Sequence, residues 1–299
     1  MNGTETRVQK RLRAAGVTRP GPESVTWKVN REILVVAGWG RAILLQLAHP
    51  LVAAGVDAHS GFRHGTRARM GRLRSTVGAM AALSFGDEEE AIAAAARINA
   101  IHDRVCGRIQ AAAGVFAAGT TYSAHDPELL LWVHATLLDS MLLTYQRLVA
   151  PLGEAERDRY CAEAAVMEPL LDIPAGLLPR STAELEAYAR DVLGDGTIAV
   201  TARSRALARA ILFPPPWRLL WPVFRPVQLL TIGLLPPAVR QAYGFDWSPR
   251  DERALARWTA ALRWVHRRMP AAAKHWRASR KRPVQRGVPL AEVASALER

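Results

Sequence analysis

The residues whose types could do chemistry are concentrated between Gly40 and Thr76. An apolar run in this stretch ends at His49-Pro50, and a series of polar residues follows it: Asp57, His59, Arg63, His64, Arg72 and Thr76. Core packing alone does not call for so many polar groups, since a buried polar group without a hydrogen bond costs free energy. The pattern predicts that this stretch forms the wall of a site.

Two further histidines, His102 and His134, lie within apolar stripes of predicted helices. The stripes consist of Ile98, Ile101, Val105 and Ile109 for the first, and of Leu130, Leu137, Leu138 and Met141 for the second. An inward imidazole must either form hydrogen bonds through its ring nitrogens or bind a ligand. Each histidine alone is best explained as a hydrogen-bonded core residue. Two of them on consecutive helices, beside the histidine-rich stretch, favour a ligand.

The sequence lacks the motifs that most histidine-containing metal and catalytic sites require. Structural zinc needs a closed set of Cys and His at short spacing, and di-iron bundles need Glu-x-x-His pairs; neither occurs. HExxH, GxSxG and a phosphate-binding glycine loop are also absent. Haem is compatible with the sequence, because it needs one axial imidazole, an apolar slot between helices and cations for its propionates.

The elements that must position these side chains are predicted to be helices. The 299 residues are 49% hydrophobic and rich in alanine and leucine, and strand-like alternation is lacking. Helices are predicted at about 30–54, 67–84, 87–113, 126–150, 153–171, 181–194, 199–212 and 249–268. We therefore expect an all-α fold, a single large helical domain with a buried haem-type pocket between helices.

Composition also divides the chain into three parts. Residues 1–28 are polar and basic and predict a flexible N-terminal arm. Residues 29–270 are predicted to form a helical domain, and residues 271–299 a basic C-terminal tail. Cys106 and Cys161 form no disulfide framework and predict two buried thiols in a reducing compartment. Because the N-terminus lacks the apolar core of a signal peptide, we expect a cytoplasmic protein.

The charge of +13 is carried mostly by arginine. It permits an anionic partner, but the arginines are scattered apart from a cluster at 267–286, so we expect no specific nucleic-acid partner. The proline-rich segment 211–239, with Trp217 and Trp221, either makes a peripheral membrane contact or forms a proline-broken cover over the core.

An ordered series of motifs resembles one family. The series comprises LLQLAHPLVAAGVDAHSGF (44–62), GRLRST (71–76), SFGDEEEA (84–91), IHDRVCG (101–107), YSAHDPELLLWVHATLLDS (122–140), PLGEAERDRY (151–160), IPAGLLPRSTAELEAY (173–188) and LLPPAVRQAYGFDWS (234–248). These motifs, with a core at about 39–193, are similar to the DUF2236 family, which includes the latex-clearing rubber oxygenases and the fungal MpaB-type oxygenase.

The resemblance implies an all-helical haem b protein that uses O2, as members that cleave isoprenoid double bonds do. The family's Arg-x-x-x-Thr pattern falls on Arg72 and Thr76, four residues apart on one helix face. The axial iron ligand falls on His102, with His134 as the reserve candidate. The rubber oxygenases have a lysine just before the threonine, where this chain has Ser75, and this difference favours a smaller substrate.

These observations lead to a hypothesis with one alternative. The chain is expected to be a haem-dependent oxidoreductase, an oxygenase that acts with O2 on an apolar, isoprenoid-type substrate. In it, Arg72 anchors a propionate or polarises O2, Thr76 supplies a hydrogen bond, and the apolar helix before Pro50 shapes a channel. The alternative is a non-catalytic haem- or lipid-binding helical protein at the membrane surface.

The remaining polar residues of the opening stretch have supporting roles in this hypothesis. His49, His59 and His64 either orient neighbouring groups or serve as caps and loop hydrogen-bond partners. Asp57 and Arg63 are candidates for an ion pair of little energetic worth. Trp132 and Tyr122 are expected to be packing residues.

Overall fold

The computed structural model describes residues 6–59, 65–213 and 221–280, and it confirms the all-α class. The helices are α1 (Arg7–Ala15), α2 (Val25–Asn30), α3 (Ala37–Ala48), α4 (Pro50–His59), α5 (Gly65–Phe85), α6 (Glu88–His102), α7 (Pro127–Leu148), α8 (Glu154–Glu163), α9 (Met167–Leu171), α10 (Thr182–Gly194), α11 (Ala202–Leu212), α12 (Trp221–Gly233), α13 (Pro237–Ala242), α14 (Pro249–Arg268), α15 (Ala271–Lys274) and α16 (Arg277–Arg280). Two 3₁₀ turns, Ile33–Val36 and Ala164–Val166, and two strands, β1 (Cys106–Arg108) and β2 (Thr121–Ser123), complete the described elements.

The centre of the molecule is the pair α3 and α7. The indole Nε1 of Trp132 donates to the Leu45 carbonyl at 3.2 Å, and the buried Arg41 donates to Ser140 Oγ at 2.7 Å. Gly38 allows the close approach, because a Cβ there would lie 2.6 Å from Thr144 Oγ1 and 2.7 Å from the Ser140 carbonyl oxygen. The Gly38-Trp39-Gly40 sequence therefore serves helix packing.

A sharp bend interrupts the single helix that was predicted at 30–54. The preceding helical segment and α4 meet at 105°, and His49 between them is extended, with φ −80° and ψ 121°. The cause is Pro50, which lacks an N–H and disfavours helical backbone in the residue before it. The bend turns α4 out of line with α3.

Helices α5 and α6 form a hairpin whose turn is strongly capped. Asp87 Oδ1 accepts a hydrogen bond from the Glu90 N–H at 2.8 Å, and Glu90 Oε2 accepts one from the Asp87 N–H at 3.0 Å. This reciprocal capping box satisfies backbone donors that the first turn of α6 would otherwise leave unpaired. It fixes where α6 begins.

The end of α6 differs from the prediction of a helix at 87–113. The helix stops at His102, and the chain turns into β1, which pairs antiparallel with β2 so that Gly107 lies opposite Tyr122. Only glycine fits at this place, because a Cβ on Gly107 would lie 2.6 Å from Tyr122 Oη. The predicted stripe around His102 is consequently not one helix face, and Ile101 is 50% exposed. Cys106, expected to be buried, is exposed, whereas Cys161 is buried.

The two ends of the described chain are joined by a buried carboxylate. Glu32 accepts hydrogen bonds from His266 Nε2 at 2.7 Å and from His275 Nε2 at 3.1 Å. The residues expected to form an N-terminal arm contribute α1 and α2, whose Val8 and Val25 are buried in the core. The clamp made by Glu32, His266 and His275 holds α14 and the segment after it against the start of the domain.

The proline-rich region contributes to the core on its C-terminal side. Residues 214–220 lie outside the described ranges, whereas Leu229, Leu230 and Ile232 of α12 are buried. No single helix in the described ranges has the length and apolarity needed to cross a membrane; the bent pair Ile33–Ala48 and Pro50–His59 reaches those limits only when its two parts are taken together.

Candidate functional site

Three histidines gather where α6 ends and α7 begins. His102 is the last residue of α6, His125 lies in the turn before α7, and His134 lies on α7 itself. The His102 and His125 rings are nearly perpendicular, with centroids 5.8 Å apart. His125 Nε2 donates to Asp103 Oδ1 at 2.8 Å, which fixes that ring. We call these three residues the histidine cluster.

Local sequence positions the cluster. Asp126 caps α7 by accepting from the Glu128 N–H at 3.0 Å, and Pro127 occupies the first helical position, where its missing N–H costs nothing. The cap and proline set the start of α7, which places His134 about two turns in. The β1–β2 pair brings His125 back beside the end of α6.

Burial keeps two of the three imidazoles neutral. It lowers the pKa of His134 to about 4, and His102 nearby lowers it further. Burial is also the main cause that lowers the pKa of His102, assisted by His125 and opposed by Asp103. A neutral imidazole has a free lone pair on one ring nitrogen, so at neutral pH these side chains can act as ligands or proton acceptors.

Two ring nitrogens of the cluster are buried without partners. Nδ1 of His102 and Nδ1 of His125 have no hydrogen-bond partner among the described residues. Buried polar atoms are nearly always hydrogen-bonded, and a core histidine kept for structure satisfies its nitrogens. His102 therefore differs at its Nδ1 from the hydrogen-bonded core histidine that was the simpler alternative.

The hairpin register brings the predicted arginine and threonine to the same end as the cluster. Counted from the turn at Gly86-Asp87, at about 1.5 Å per residue, Thr76 on α5 is level with about residue 97 of α6. Arg72 is level with about residue 101, next to His102. Ser75 and Thr76 are exposed, and the Arg72 side chain lies outside the described part of the structure.

The two described histidines of the opening stretch, His49 and His59, contact the backbone. His49 is buried; its Nδ1 accepts from the Leu51 N–H at 3.2 Å, and its ring lies 5.2 Å from that of Phe116. Burial lowers the pKa of His49 to about 4, although Asp126 and Asp195 raise it. His59 is exposed, with Nε2 3.2 Å from the Cys106 carbonyl. His64 lies outside the described residues.

The expected pair of Asp57 and Arg63 stays a prediction, whereas the expected channel needs correction. Asp57 pairs with Arg203, with Oδ2 and Nε 3.0 Å apart, because α4 packs against α11; Arg63 lies outside the described residues. The apolar helix before Pro50 is core rather than channel, because Leu44 and Leu47 are almost fully buried. Trp132 and Tyr122 are buried packing residues, as expected.

His125 was missed by sequence reasoning because it belongs to no apolar stripe. Its position beside the helix-capping Asp126, nine residues before His134, is a weak signal that could have identified it. Within the described ranges, no three or more His, Cys, Asp or Glu side chains are arranged to hold a metal ion.

A separate cavity of about 530 Å³ lies along α14. It is lined by Arg147, Leu234, Glu252, Leu255, Ala256, Thr259, Ala260, Arg263 and Arg267. It shares no residue with the histidine cluster, and its lining offers no histidine or cysteine that could hold an iron centre. We therefore place the candidate site at the cluster and not in this cavity.

Comparison with known proteins identifies relatives of the chain. The model of the family described as ER-bound oxygenase mpaB/B'/Rubber oxygenase, catalytic domain, matches residues 27–264. The chain is 27% identical over 236 residues to the uncharacterized protein Rv2237 of Mycobacterium tuberculosis, and equally to the uncharacterized protein Mb2261 of Mycobacterium bovis. Each match covers 76% of this chain and 87% of the relative. No solved structure matches the chain.

Proposed function

Because the chain belongs to the mpaB/rubber oxygenase catalytic-domain family, we propose that it is a haem b-dependent oxygenase that uses O2 on an apolar substrate. The observation that carries the proposal is the histidine cluster: His102 has a lowered pKa and a buried, unpartnered Nδ1, and a second neutral histidine, His134, lies nearby. The family supports an oxygenase; the haem, its ligand and the substrate are our inference.

The residues of the cluster fit haem in their chemistry. His102 would hold the iron, since burial lowers the pKa of its imidazole and no group among the described residues bonds to its Nδ1. When bound, haem b supplies an iron centre for O2 activation. His125, fixed by Asp103 and packed edge-on against His102, orients that ring, as groups around a metal ligand commonly do.

Arg72 and Thr76 complete the proposed site from α5. Their four-residue spacing puts both on one face of the helix. Counted from the Gly86-Asp87 turn, this part of α5 would be level with the last two turns of α6. The Arg72 guanidinium would pair with a propionate or polarise O2, and the Thr76 hydroxyl would donate a hydrogen bond. Ser75, at the position where the resemblance puts a lysine, would be too short to act as a second ligand to the iron.

The substrate is proposed to approach along the exposed face of the α5–α6 hairpin. Ile101 is 50% exposed beside His102, and Met80 on α5 is partly exposed. Apolar side chains at the mouth of a site favour an apolar ligand, because burying them releases water. This surface suits an isoprenoid-type chain better than α3 does, because most residues of α3 are buried.

A visible spectrum of the purified, haem-reconstituted protein tests the proposal. We expect a Soret band that is lost or shifted in His102→Ala and retained in His59→Ala, an exposed histidine with no place in the cluster. His134→Ala is expected to keep the band with a smaller change, and His125→Ala to shift it. The absence of a Soret band after reconstitution refutes haem binding, and an unchanged band in His102→Ala refutes His102 as ligand.

Oxygen consumption separates turnover from binding alone. With haem bound and an isoprenoid such as squalene added, we expect O2 uptake that Arg72→Ala and Thr76→Val reduce by about tenfold or more. A haem-loaded protein that consumes no O2 with any apolar substrate would instead support the non-catalytic binding protein.

A further inference from the structure

Helix α14 presents an apolar face to solvent on the side away from the core. Its inner side carries the buried Leu255 and His266, whereas Trp258 is 41% exposed, Trp264 53% and Val265 45%. Large apolar side chains grouped on a surface mark interaction sites more often than isolated ones do. We call this exposed side the outer face of α14.

The outer face is a continuous stripe at helical spacing. Its positions recur three and four residues apart and turn away from Leu255; they are Arg250, Ala254, Arg257, Trp258, Ala261, Trp264, Val265 and Arg268. Arginine and tryptophan side chains are therefore interspersed with small apolar ones along about 27 Å of helix, at about 1.5 Å per residue.

No acidic side chain belongs to this stripe. The acids of α14 are Asp251 and Glu252, and both have partners on other elements: Asp251 Oδ1 lies 2.5 Å from Arg225 Nη2, and Glu252 Oε2 accepts from Trp247 Nε1 at 2.7 Å. The Arg268 guanidinium lies 4.0 Å from the centroid of the Trp264 ring, a cation–π contact. The outer face is thus positive and aromatic together.

Charge decides among the candidate occupants of this face. Residues 281–299 contain Lys281, Arg282, Arg286 and Arg299 against Glu292 and Glu298, so this segment has a positive formal charge. A second copy carries +13. The positive charge of residues 281–299, and that of a second copy, would repel the arginines of α14. An anionic lipid surface complements them, and tryptophan is enriched at the level of lipid headgroups.

We propose that the outer face of α14 docks the protein on an anionic lipid bilayer. Trp258, Trp264 and Val265 enter the headgroup region, while Arg250, Arg257 and Arg268 pair with lipid phosphates and carboxylates. The helix lies parallel to the surface, as interfacial amphipathic helices do. This role is independent of the histidine cluster and does not rest on the proposed oxygenase activity.

Vesicle sedimentation with the full chain tests the proposal. The vesicles contain phosphatidylcholine with about 30 mol% phosphatidylserine, and phosphatidylcholine alone serves as the reference. We expect binding to the anionic vesicles only, weakened about tenfold or more in Trp258→Ala/Trp264→Ala. Arg257→Gln/Arg268→Gln should weaken it by about fivefold per charge, and about 0.5 M salt should abolish it.

A matched control removes the same charge elsewhere. Arg190 and Arg209 are exposed on α10 and α11, and Arg190→Gln/Arg209→Gln is expected to bind as the unaltered protein does. His102→Ala is also expected to bind normally, which separates this proposal from the haem assignment. If the control and the α14 arginine variant lose vesicle binding equally, binding depends on net charge alone, and the proposal is wrong.

A second readout needs no variant. Brominated phosphatidylcholine in the anionic vesicles should quench part of the tryptophan fluorescence of the unaltered protein. Full binding without quenching, or no binding at all, would refute docking through this face. A dimer in solution that Trp258→Ala/Trp264→Ala dissociates would assign the face to a second copy instead.

Discussion

At the scale of single residues, buried neutral histidines make the stability of the fold depend on pH. The pKa of His49 and that of His134 are lowered from 6.5 to about 4. Below pH 6.5 the unfolded chain takes up protons that the folded chain does not, so the free energy of unfolding decreases as the pH falls from 6.5 to about 4. The decrease is at most about 1.4 kcal/mol per pH unit for each histidine.

Thermal unfolding followed by circular dichroism between pH 7 and pH 4 measures this effect. His49→Asn is the sharpest variant, because asparagine also caps helices and has no charge to gain. We expect the loss of Tm on acidification to be smaller in His49→Asn than in the unaltered chain, whereas His59→Ala should match the unaltered chain. Identical pH profiles in all three would contradict the burial of His49 as a neutral ring.

The candidate site could be predicted from single residues only in part. His102 and His134 were identified from apolar stripes, and the structure places them near each other. His125 was not, because a loop residue gains its position from the β1–β2 pairing and has no periodic signal of its own. The hydrogen bond of His49 to Leu51, in contrast, agrees with the expected capping role.

At the scale of elements, the same substitution should have opposite effects at two helical glycines. In Gly38→Ala the new Cβ meets the α7 backbone at Ser140, and the resulting overpacking should destabilise the fold by about 1–3 kcal/mol. Gly78 on α5 has no described atom near its would-be Cβ. Gly78→Ala should therefore stabilise the fold by about 0.5–1 kcal/mol through helix propensity.

Chemical denaturation of the two variants and the unaltered chain measures both changes. The higher helix propensity of alanine contributes equally at both sites, so the difference between the two variants reports the steric effect at Gly38 alone. A Gly38→Ala variant as stable as Gly78→Ala would contradict the close approach of α3 and α7.

Element boundaries were predictable where their cause is local. Helices were predicted to begin at about 87, 126 and 249, and the capping residues there, Asp87, Asp126 and Ser248, each accept a backbone hydrogen bond. Pro50 is also a local signal, but the apolar sequence continues across it, and a single helix was therefore predicted where the structure has a bend. The end of α6 was not predictable, because it depends on β2, whose residues begin 19 positions after His102.

At the scale of the whole molecule, the clamp around Glu32 couples the two ends of the domain. Glu32→Ala leaves His266 without this partner, and His266→Ala removes one of the two histidine donors to the carboxylate, leaving His275; each should cost about 1–3 kcal/mol. The double variant should cost less than the sum, with a coupling energy of about 1 kcal/mol.

Denaturation of the two single variants, the double variant and the unaltered chain completes this cycle. His59→Ala combined with Glu32→Ala is the control pair, for which additive losses are expected because His59 makes no contact with Glu32. Additive losses for Glu32 and His266 would contradict the clamp.

The position of this clamp in the chain also has a consequence for biosynthesis. Glu32 and His266 are 234 residues apart, so the carboxylate leaves the ribosome long before either of its partners. Domains generally fold as units during synthesis, and this one cannot bury Glu32 with its hydrogen bonds until His266 and His275 have emerged. The Glu32 carboxylate therefore stays in water until the last part of the domain has been translated.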